Sequence, residues 1–262
     1  MLDDTLSNIF SSQWSVFFIV TLLLLVFAEI GYRLGSVFQR SNAEAAKNRS
    51  GNVLGAVLGL LGLLLGFSFA MSVGRYDVRR SLIVEESNSI GTTWLRAGFL
   101  PAPHAKEIRK LLEDYTRLRV ERFAKADDPA SITAVHADVA RIHSALWAQG
   151  EAAAKEQPTP ITASFITSLN ETIDLDATRV AALRNHVPGV VWLLLLVVAG
   201  CGAWASGYGS GTEGLRSAFS QYIFPVLIGV VITLIVDIDR PNKGLIGVSQ
   251  KPLQDLLESF GN

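Results

Sequence analysis

The sequence predicts an all-α, polytopic membrane protein with four transmembrane helices and a helical extramembrane domain. Hydrophobic residues make up 49% of the 262-residue chain and charged residues only 18%, a balance typical of membrane proteins. Four apolar stretches are long enough for helices that cross the roughly 30 Å hydrocarbon layer of a bilayer. Between the second and third stretches lie about 110 residues with helical periodicity and no strand signals.

The four apolar stretches are residues 9–32, 53–73, 188–205 and 218–236. The first follows the leader MLDDTLSN, which is acidic where a secretory signal peptide is basic, and no small-residue cleavage site follows it. We therefore predict that this stretch is retained as a transmembrane helix. Within it, Glu29 and Arg33 are one turn apart, which predicts a salt bridge near the membrane surface.

Basic residues near the membrane ends are distributed unequally between the two sides. Five lie on the side of the two short loops, and eight lie on the side of the large domain. The five are Arg33, Arg40, Lys47, Arg49 and Arg216, and the eight are Arg75, Arg79, Arg80, Arg179, Arg184, Arg240, Lys243 and Lys251. Because the cytoplasmic side is usually the more basic, the large domain is predicted to be cytoplasmic.

The large domain is predicted to be a bundle of three long helices. Apolar residues recur at three- and four-residue spacing, as Ile108, Leu112 and Tyr115 do, and breaks are expected at residues 127–129 and 157–160. Its 15 basic and 15 acidic residues indicate solvated helix faces. The third helix is expected to continue directly into the third transmembrane helix. The predicted division is therefore 1–74 for the first two membrane helices, 75–187 for the domain, 188–236 for the last two, and 237–262 for an exit turn and tail.

A stripe of small residues runs along the second transmembrane helix at spacings of three and four. Its members are Gly51, Gly55, Gly59, Gly62, Gly66, Ala70 and Gly74. Such a stripe favours close packing against another helix in lipid. It is also compatible with a helix that lines a central pore, where Phe67 or Phe69 would form a hydrophobic constriction. The sequence leaves both interpretations open.

Charged residues follow this helix directly, with Arg75 and Arg79 ahead of Glu85 and Glu86. Around a symmetric axis they would form a charged pore mouth, in which arginines concentrate anions and glutamates favour cations. For any one of these four residues taken alone, the simpler explanation is an arginine at the membrane surface or an ion pair within the helix.

Catalytic and metal-binding motifs are not predicted. The four histidines (His104, His136, His143 and His186) are not placed with further ligands at metal-site spacing, and Cys201 is the single cysteine. The glycines of residues 209–214 lack the Lys and Ser/Thr of a phosphate-binding loop. A net charge of −1 does not favour nucleic acid as a partner. We therefore expect no cofactor, no metal and no enzymatic activity.

Two segments resemble the bestrophin-like family of bacterial membrane proteins. They are GLLGLLLGFSFAMSVGRYDVRRSLIVEESNSIGTTWLRA, which begins at Gly59, and DIDRPNKGLIGVSQKPLQDL, which begins at Asp237. The family is distantly similar to bestrophins, the pentameric anion channels. The resemblance implies a homo-oligomer, with five subunits suspected, in the bacterial inner membrane. It also implies a pore lined by the second membrane helix and a turn at Asp237, Asp239, Arg240 and Pro241 where the fourth helix leaves the membrane.

The predicted function is passive conduction of small inorganic ions, with anions favoured, through this pore. The proposed constriction is Phe67 and Phe69, and the stripe from Gly55 to Ala70 either lines the pore or packs helices. The acidic calcium-binding run of animal bestrophins is absent, so calcium gating is not implied. The alternative is a membrane sensor or scaffold whose helical domain binds a ligand or partner, without a pore.

Overall fold

A computed structural model describes residues 13–38, 43–121, 129–214, 216, 218–240 and 245–261. In these residues all regular secondary structure is helical, which confirms the predicted all-α class. The helices are α1 (Gln13–Phe38), α2 (Ala43–Ala97), α3 (His104–Glu121), α4 (Pro129–Glu156), α5 (Pro160–Arg184), α6 (Gly189–Thr212), a π-helical turn (Phe219–Ile223), α7 (Phe224–Asp239) and α8 (Lys251–Ser259).

Four helical stretches of the described chain are long and apolar enough to cross a membrane, as the sequence predicts. They are Trp14–Val37 in α1, Leu54–Ala97 in α2, Pro160–Thr212 with α5 and α6, and Gln221–Asp239 with α7. The helix ends follow the local chemistry of the chain. At the start of α5, for example, the Thr159 side chain accepts a hydrogen bond from the Thr162 N–H at 3.2 Å, and Pro160 occupies the first turn.

The sequence predicts a helical domain continuous with the second and third membrane helices, and the two junctions differ. At the first, α2 is a single helix of 55 residues that runs past both ends of the membrane segment 53–73, because no proline interrupts residues 43–97. At the second, α5 does not continue into α6. It ends at Arg184, and four non-helical residues follow before α6 begins at Gly189. Pro188 explains this break, since proline disfavours helical backbone in the residue before it.

The chain divides into two compact units. One comprises Met1–Gly74 and His186–Ile246, and the other comprises Arg75–Asn185 and Gly247–Asn262. We call them the membrane unit and the helical unit. Helix α2 contributes its first part to the membrane unit and its second part to the helical unit.

The membrane unit is held together by a close contact between α1 and α6. Gly31 and Gly35 lie against the backbone of α6, and Gly207 and Gly211 lie against the backbone of α1. A methyl group added at any of these four positions would collide with backbone atoms of the opposite helix. Small residues thus let the two backbones approach, as they do in many membrane helix pairs.

The helical unit has its own hydrophobic core, built from the apolar stripes of α2 to α5. Ile90, Leu112, Leu146 and Phe165 are among its fully buried members. The C-terminal helix α8 completes this core, since Leu253 is also fully buried there. In addition, the Phe260 ring stacks on Trp94 with 5.1 Å between the ring centroids.

Candidate functional site

The membrane half of α2 is the least covered of the four membrane-crossing stretches. In its most apolar window only 17% of the residues are buried, against 33–39% in the other three stretches. The buried residues Leu61, Leu65, Ser68 and Ser72 recur at spacings of four, three and four, so they form one face. The rest of the helix surface contacts little of the described chain.

The glycine stripe of α2 lies on this uncovered surface. A methyl group added at Gly55, Gly59, Gly62, Gly66 or Gly74 meets no neighbouring atom within 4 Å in the described structure, and Ala70 is exposed. In the part of the chain that the structure describes, the stripe therefore does not pack against another helix of the same chain. Close packing through small residues occurs there between α1 and α6, at Gly31, Gly35, Gly207 and Gly211.

Phe67 and Phe69 lie on opposite flanks of the stripe. Successive residues of an α-helix are about 100° apart, so residues two positions apart point in nearly opposite directions. Phe67 is 63% exposed and lies farther from the buried face, whereas Phe69 is 41% exposed and lies nearer to it. The two rings of one chain cannot both face the same axis, so a joint constriction is not compatible with the helix geometry.

The four charged residues after the stripe have different environments. Glu85 is exposed and accepts a hydrogen bond from Ser81, and Arg75 is half-buried. Arg79, however, is buried in the helical unit, where its guanidinium donates to the carbonyl oxygens of Asn185 at 2.8 Å and Ala182 at 3.3 Å. Glu86 is fully buried. Arg79 and Glu86 therefore do not belong to an exposed charged mouth, because their charges are bonded inside the helical unit.

Glu86 is the centre of a buried polar network that we call the Glu86 cluster. Its carboxylate accepts a hydrogen bond from Tyr115 at 2.7 Å, lies 2.9 Å from Nε of Arg119, and accepts a further bond from Arg179. Arg119 also donates to Asp176 at 2.7 Å. In addition, Arg179 donates to Oε1 of Gln250 at 2.7 Å, next to α8. The members are Glu86, Tyr115, Arg119, Asp176, Arg179 and Gln250.

Two arginines and two carboxylates balance the charge of the Glu86 cluster, as buried ions require. Burial raises the pKa of Tyr115 well above its usual range, and the neighbouring Glu86 carboxylate raises it further. Tyr115 therefore stays neutral, and its hydroxyl donates a hydrogen bond to Glu86. Its ring also contacts the ring of His143, with 5.0 Å between the centroids.

His143 lies beside the Glu86 cluster, in an environment that favours the neutral imidazole. Burial lowers the pKa of its imidazole; Asp176 opposes this shift and Arg119 adds to it. Its Nε2 atom is buried and makes no hydrogen bond in the described part of the chain. Periodicity had identified Tyr115 only as an apolar position, and no sequence signal had linked Asp176 or His143 to Glu86.

The exit turn lies in the membrane unit, and its two aspartates bind backbone amides. Asp237 accepts hydrogen bonds from the N–H groups of Leu245 and Ile246 at 2.9 and 3.0 Å. Asp239 accepts one from the N–H of Val187, just before α6. Both carboxylates are thus buried with charge-assisted hydrogen bonds that hold the backbone on each side of the turn. Arg240 caps α7, and Pro241 lies outside the described residues.

Metal ligands are not clustered in the described part of the chain, where no three His, Cys, Asp or Glu residues are placed to hold an ion. What the geometry defines there is a multi-pass all-α membrane protein with an uncovered small-residue face and a buried ionic cluster.

The family model of the Bestrophin-like domain matches residues 19–253. The chain therefore belongs to the bestrophin-like family, as its two segments suggested. No curated protein matches the sequence.

Solved structures of bestrophin homologues have the same fold. A bacterial bestrophin homologue from Klebsiella pneumoniae matches with a TM-score of 0.66 and 14% identity, over 93% of this chain and 95% of that one. A point variant from the same organism gives a TM-score of 0.67 at 14% identity, with 93% and 98% covered. At this level of identity the comparison establishes a common fold.

Proposed function

We propose that this protein is an oligomeric ion channel of the bestrophin-like type, which conducts ions passively through a central pore in the bacterial inner membrane. Helix α2 of each subunit lines the pore, and the helical domain, residues 75–187, lies on the cytoplasmic side. Five subunits are expected. Family membership supports this proposal, together with the solved bestrophin homologues that share the fold.

The observation that carries the proposal is the uncovered glycine stripe of α2. Lipid-facing surfaces gain little from glycine, because a missing side chain offers lipid no packing partner. In membrane helices small residues instead occur where another backbone approaches or where the helix borders a cavity. The stripe has no partner helix in the described part of its own chain. The stripe therefore faces a lumen that it shares with the α2 helices of other subunits.

Phe67 is the proposed constriction residue, and Phe69 contacts a neighbouring subunit. The greater exposure of Phe67 and its distance from the buried face of α2 support this assignment. A ring of phenylalanines narrows a pore without adding charge, and such a constriction gates by loss of water from the lumen.

Anions are the proposed permeant ions. Glutamates at the mouth would favour cations, but Glu86 is bonded to two arginines inside the helical unit. Of the two glutamates considered for the mouth, only Glu85 is exposed. Arg75 and Arg80 in the same helix segment, opposed by the exposed Asp77 and Glu85, are the groups proposed to attract anions to the mouth.

The test is ion flux and single-channel current from purified protein in liposomes. We expect a current whose reversal potential in a chloride gradient follows the anion. Phe67→Ala should change conductance or gating, whereas the matched control Phe69→Ala should leave both closer to wild type. An assembled protein that carries no current in chloride or cation gradients would refute the channel and favour a sensor or scaffold.

A further inference from the structure

A polar cluster lies in the membrane unit near the end of the α1 span. Glu29 accepts hydrogen bonds from Nε of Arg33 at 2.8 Å, from Arg216 at 2.7 Å and from Nε2 of Gln221 at 2.7 Å. The Glu29–Arg33 pair is the salt bridge that the sequence predicts. We call Glu29, Arg33, Arg216 and Gln221 the Glu29 cluster.

The Glu29 cluster carries one more positive charge than negative. Its two guanidinium groups face a single carboxylate, and both arginine side chains are more than half exposed. Each guanidinium has five N–H donors, of which Glu29 engages only part. The remaining donors are thus available to an anion that approaches from outside the unit.

Gln221 supplies an unmatched acceptor inside the cluster. Its side chain is only 2% exposed, and its Oε1 atom has no hydrogen-bond partner in the described part of the chain. The orientation of the amide is determined, because the carboxylate of Glu29 only accepts and must face the NH2 group. Oε1 is consequently a buried acceptor without a donor, which is unfavourable unless a ligand provides one.

Glu29, Arg33 and Gln221 line a cavity of about 380 Å³, and Arg216 is joined to it through its bond to Glu29. Leu25, Val26 and Ile30 form its apolar wall on α1, and Tyr222 contributes from the π-helical turn. Glu29 and Arg33 lie one and two turns further along the same face of α1, towards the membrane surface. The groove therefore passes from a hydrocarbon-like wall to a cationic end.

We propose that this groove binds a phospholipid whose headgroup is anionic and carries a hydroxyl group. The phosphodiester binds the free N–H groups of Arg33 and Arg216, and a headgroup hydroxyl donates to Oε1 of Gln221. An acyl chain lies along Leu25, Val26 and Ile30. This site is independent of ion conduction, and it would exist in a protein without a pore.

The charge and the apolar wall of the groove favour an anionic phospholipid over a free phosphate ion or a zwitterionic lipid. A free phosphate ion would satisfy the arginines but would leave the apolar wall without a partner. A zwitterionic headgroup would bring its own cation and leave the excess positive charge of the cluster uncompensated.

The experiment is native mass spectrometry of the purified oligomer, titrated with phosphatidylglycerol, phosphatidylcholine or phosphatidylethanolamine. We expect phosphatidylglycerol to be retained most strongly. Arg33→Gln and Gln221→Leu should each weaken its retention at least about fivefold, the effect of one lost hydrogen bond to a charged or buried group. Arg117→Gln is the matched control, because Arg117 also pairs with a glutamate one turn earlier and is exposed.

Separate arms of the experiment distinguish the source of the anion. Inorganic phosphate and glycerol 3-phosphate should not displace the lipid at equal concentration, and displacement by either would overturn the proposal. So would equal retention of phosphatidylcholine or phosphatidylethanolamine, or wild-type retention by Arg33→Gln. Because Arg33 is exposed, Arg33→Gln should fold normally. It therefore tests the proposal even if Gln221→Leu, at a buried position, folds poorly. A change of oligomeric state in Arg33→Gln without any lipid preference would show that the groove is a contact between subunits.

Discussion

Glu86→Gln should destabilise the protein severely, although it only replaces one carboxylate oxygen by an NH2 group. Glu86 is fully buried and accepts bonds from Tyr115, Arg119 and Arg179. Glutamine has nearly the same shape but carries no charge, so two buried guanidinium groups would share only Asp176. Removing one partner of a buried ion pair typically costs about 3–5 kcal/mol. The reason is that an uncompensated charge remains in a medium of low dielectric constant.

This cost corresponds to a large change in thermal stability. For a chain of this size, one kcal/mol lowers Tm by about 2–4 °C, so a fall of roughly 6–20 °C is expected. The assay is thermal unfolding of purified wild type and variants in one detergent, followed by circular dichroism. Glu85→Gln is the matched control: the adjacent side chain is exposed, and its substitution should change stability by at most about 0.5 kcal/mol.

A double variant separates loss of charge balance from loss of packing. Glu86→Gln combined with Arg179→Met removes one cation as well as the anion, and it should recover a substantial part of the lost stability. If Glu86→Gln unfolds at the same temperature as Glu85→Gln, the carboxylate does not balance the two arginines and the reasoning fails.

Three further predictions concern other parts of the chain. Because burial lowers the pKa of His143, the unfolded chain binds more protons than the folded one below about pH 6.5. Wild-type stability should therefore fall with pH below that value, and a His143→Gln variant should show a flatter pH profile in the same unfolding assay. Asp237→Asn should cost about 1–3 kcal/mol, because the amide places an NH2 group against a backbone N–H; unchanged stability would contradict the assigned hydrogen bonds. Gly207→Ala should destabilise by about 1–3 kcal/mol through collision with α1, whereas Gly59→Ala, which has open space, should not; equal Tm values would contradict the packing.

Helix content and the number of membrane spans were predictable from the sequence, because length and periodicity are local properties. Residue spacing also identified the buried positions of α3, among them Tyr115. It did not identify the partner of the Tyr115 hydroxyl, which lies 29 residues away on α2. Burial follows from periodicity, but pairing across the bundle depends on how neighbouring helices are rotated.

Glu85 and Glu86 illustrate the same limit. Adjacent helical residues point about 100° apart, so at most one of them faces a given neighbour. Glu86 is three residues after Ile83 and four before Ile90, so the apolar spacing places it, and not Glu85, on the buried face. What the spacing does not give is the pair of arginines that neutralise it, Arg119 on α3 and Arg179 on α5.

The glycine patterns show where a sequence signal was present but was not used. Gly31 and Gly35, like Gly207 and Gly211, have the four-residue spacing typical of close helix contacts. The longer stripe on α2 has the same spacing but contacts no helix of its own chain in the described structure. Spacing predicts that a helix has a small-residue face, but it does not identify what lies opposite that face.

The most direct test of the central claim is whether water-soluble reagents reach the glycine stripe in the conducting protein. In a Cys201→Ser background, Gly66→Cys places a thiol on the stripe, and Leu193→Cys places one on the exposed surface of another membrane helix, α6. A negatively charged methanethiosulfonate reagent should change the current of Gly66→Cys irreversibly and leave that of Leu193→Cys unaffected. If Leu60→Cys is also tested, it should respond as well, because it lies seven residues before Phe67 on the same face of α2. If Gly66→Cys conducts but does not respond, or if Gly66→Cys and Leu193→Cys respond equally, the stripe does not line the pore.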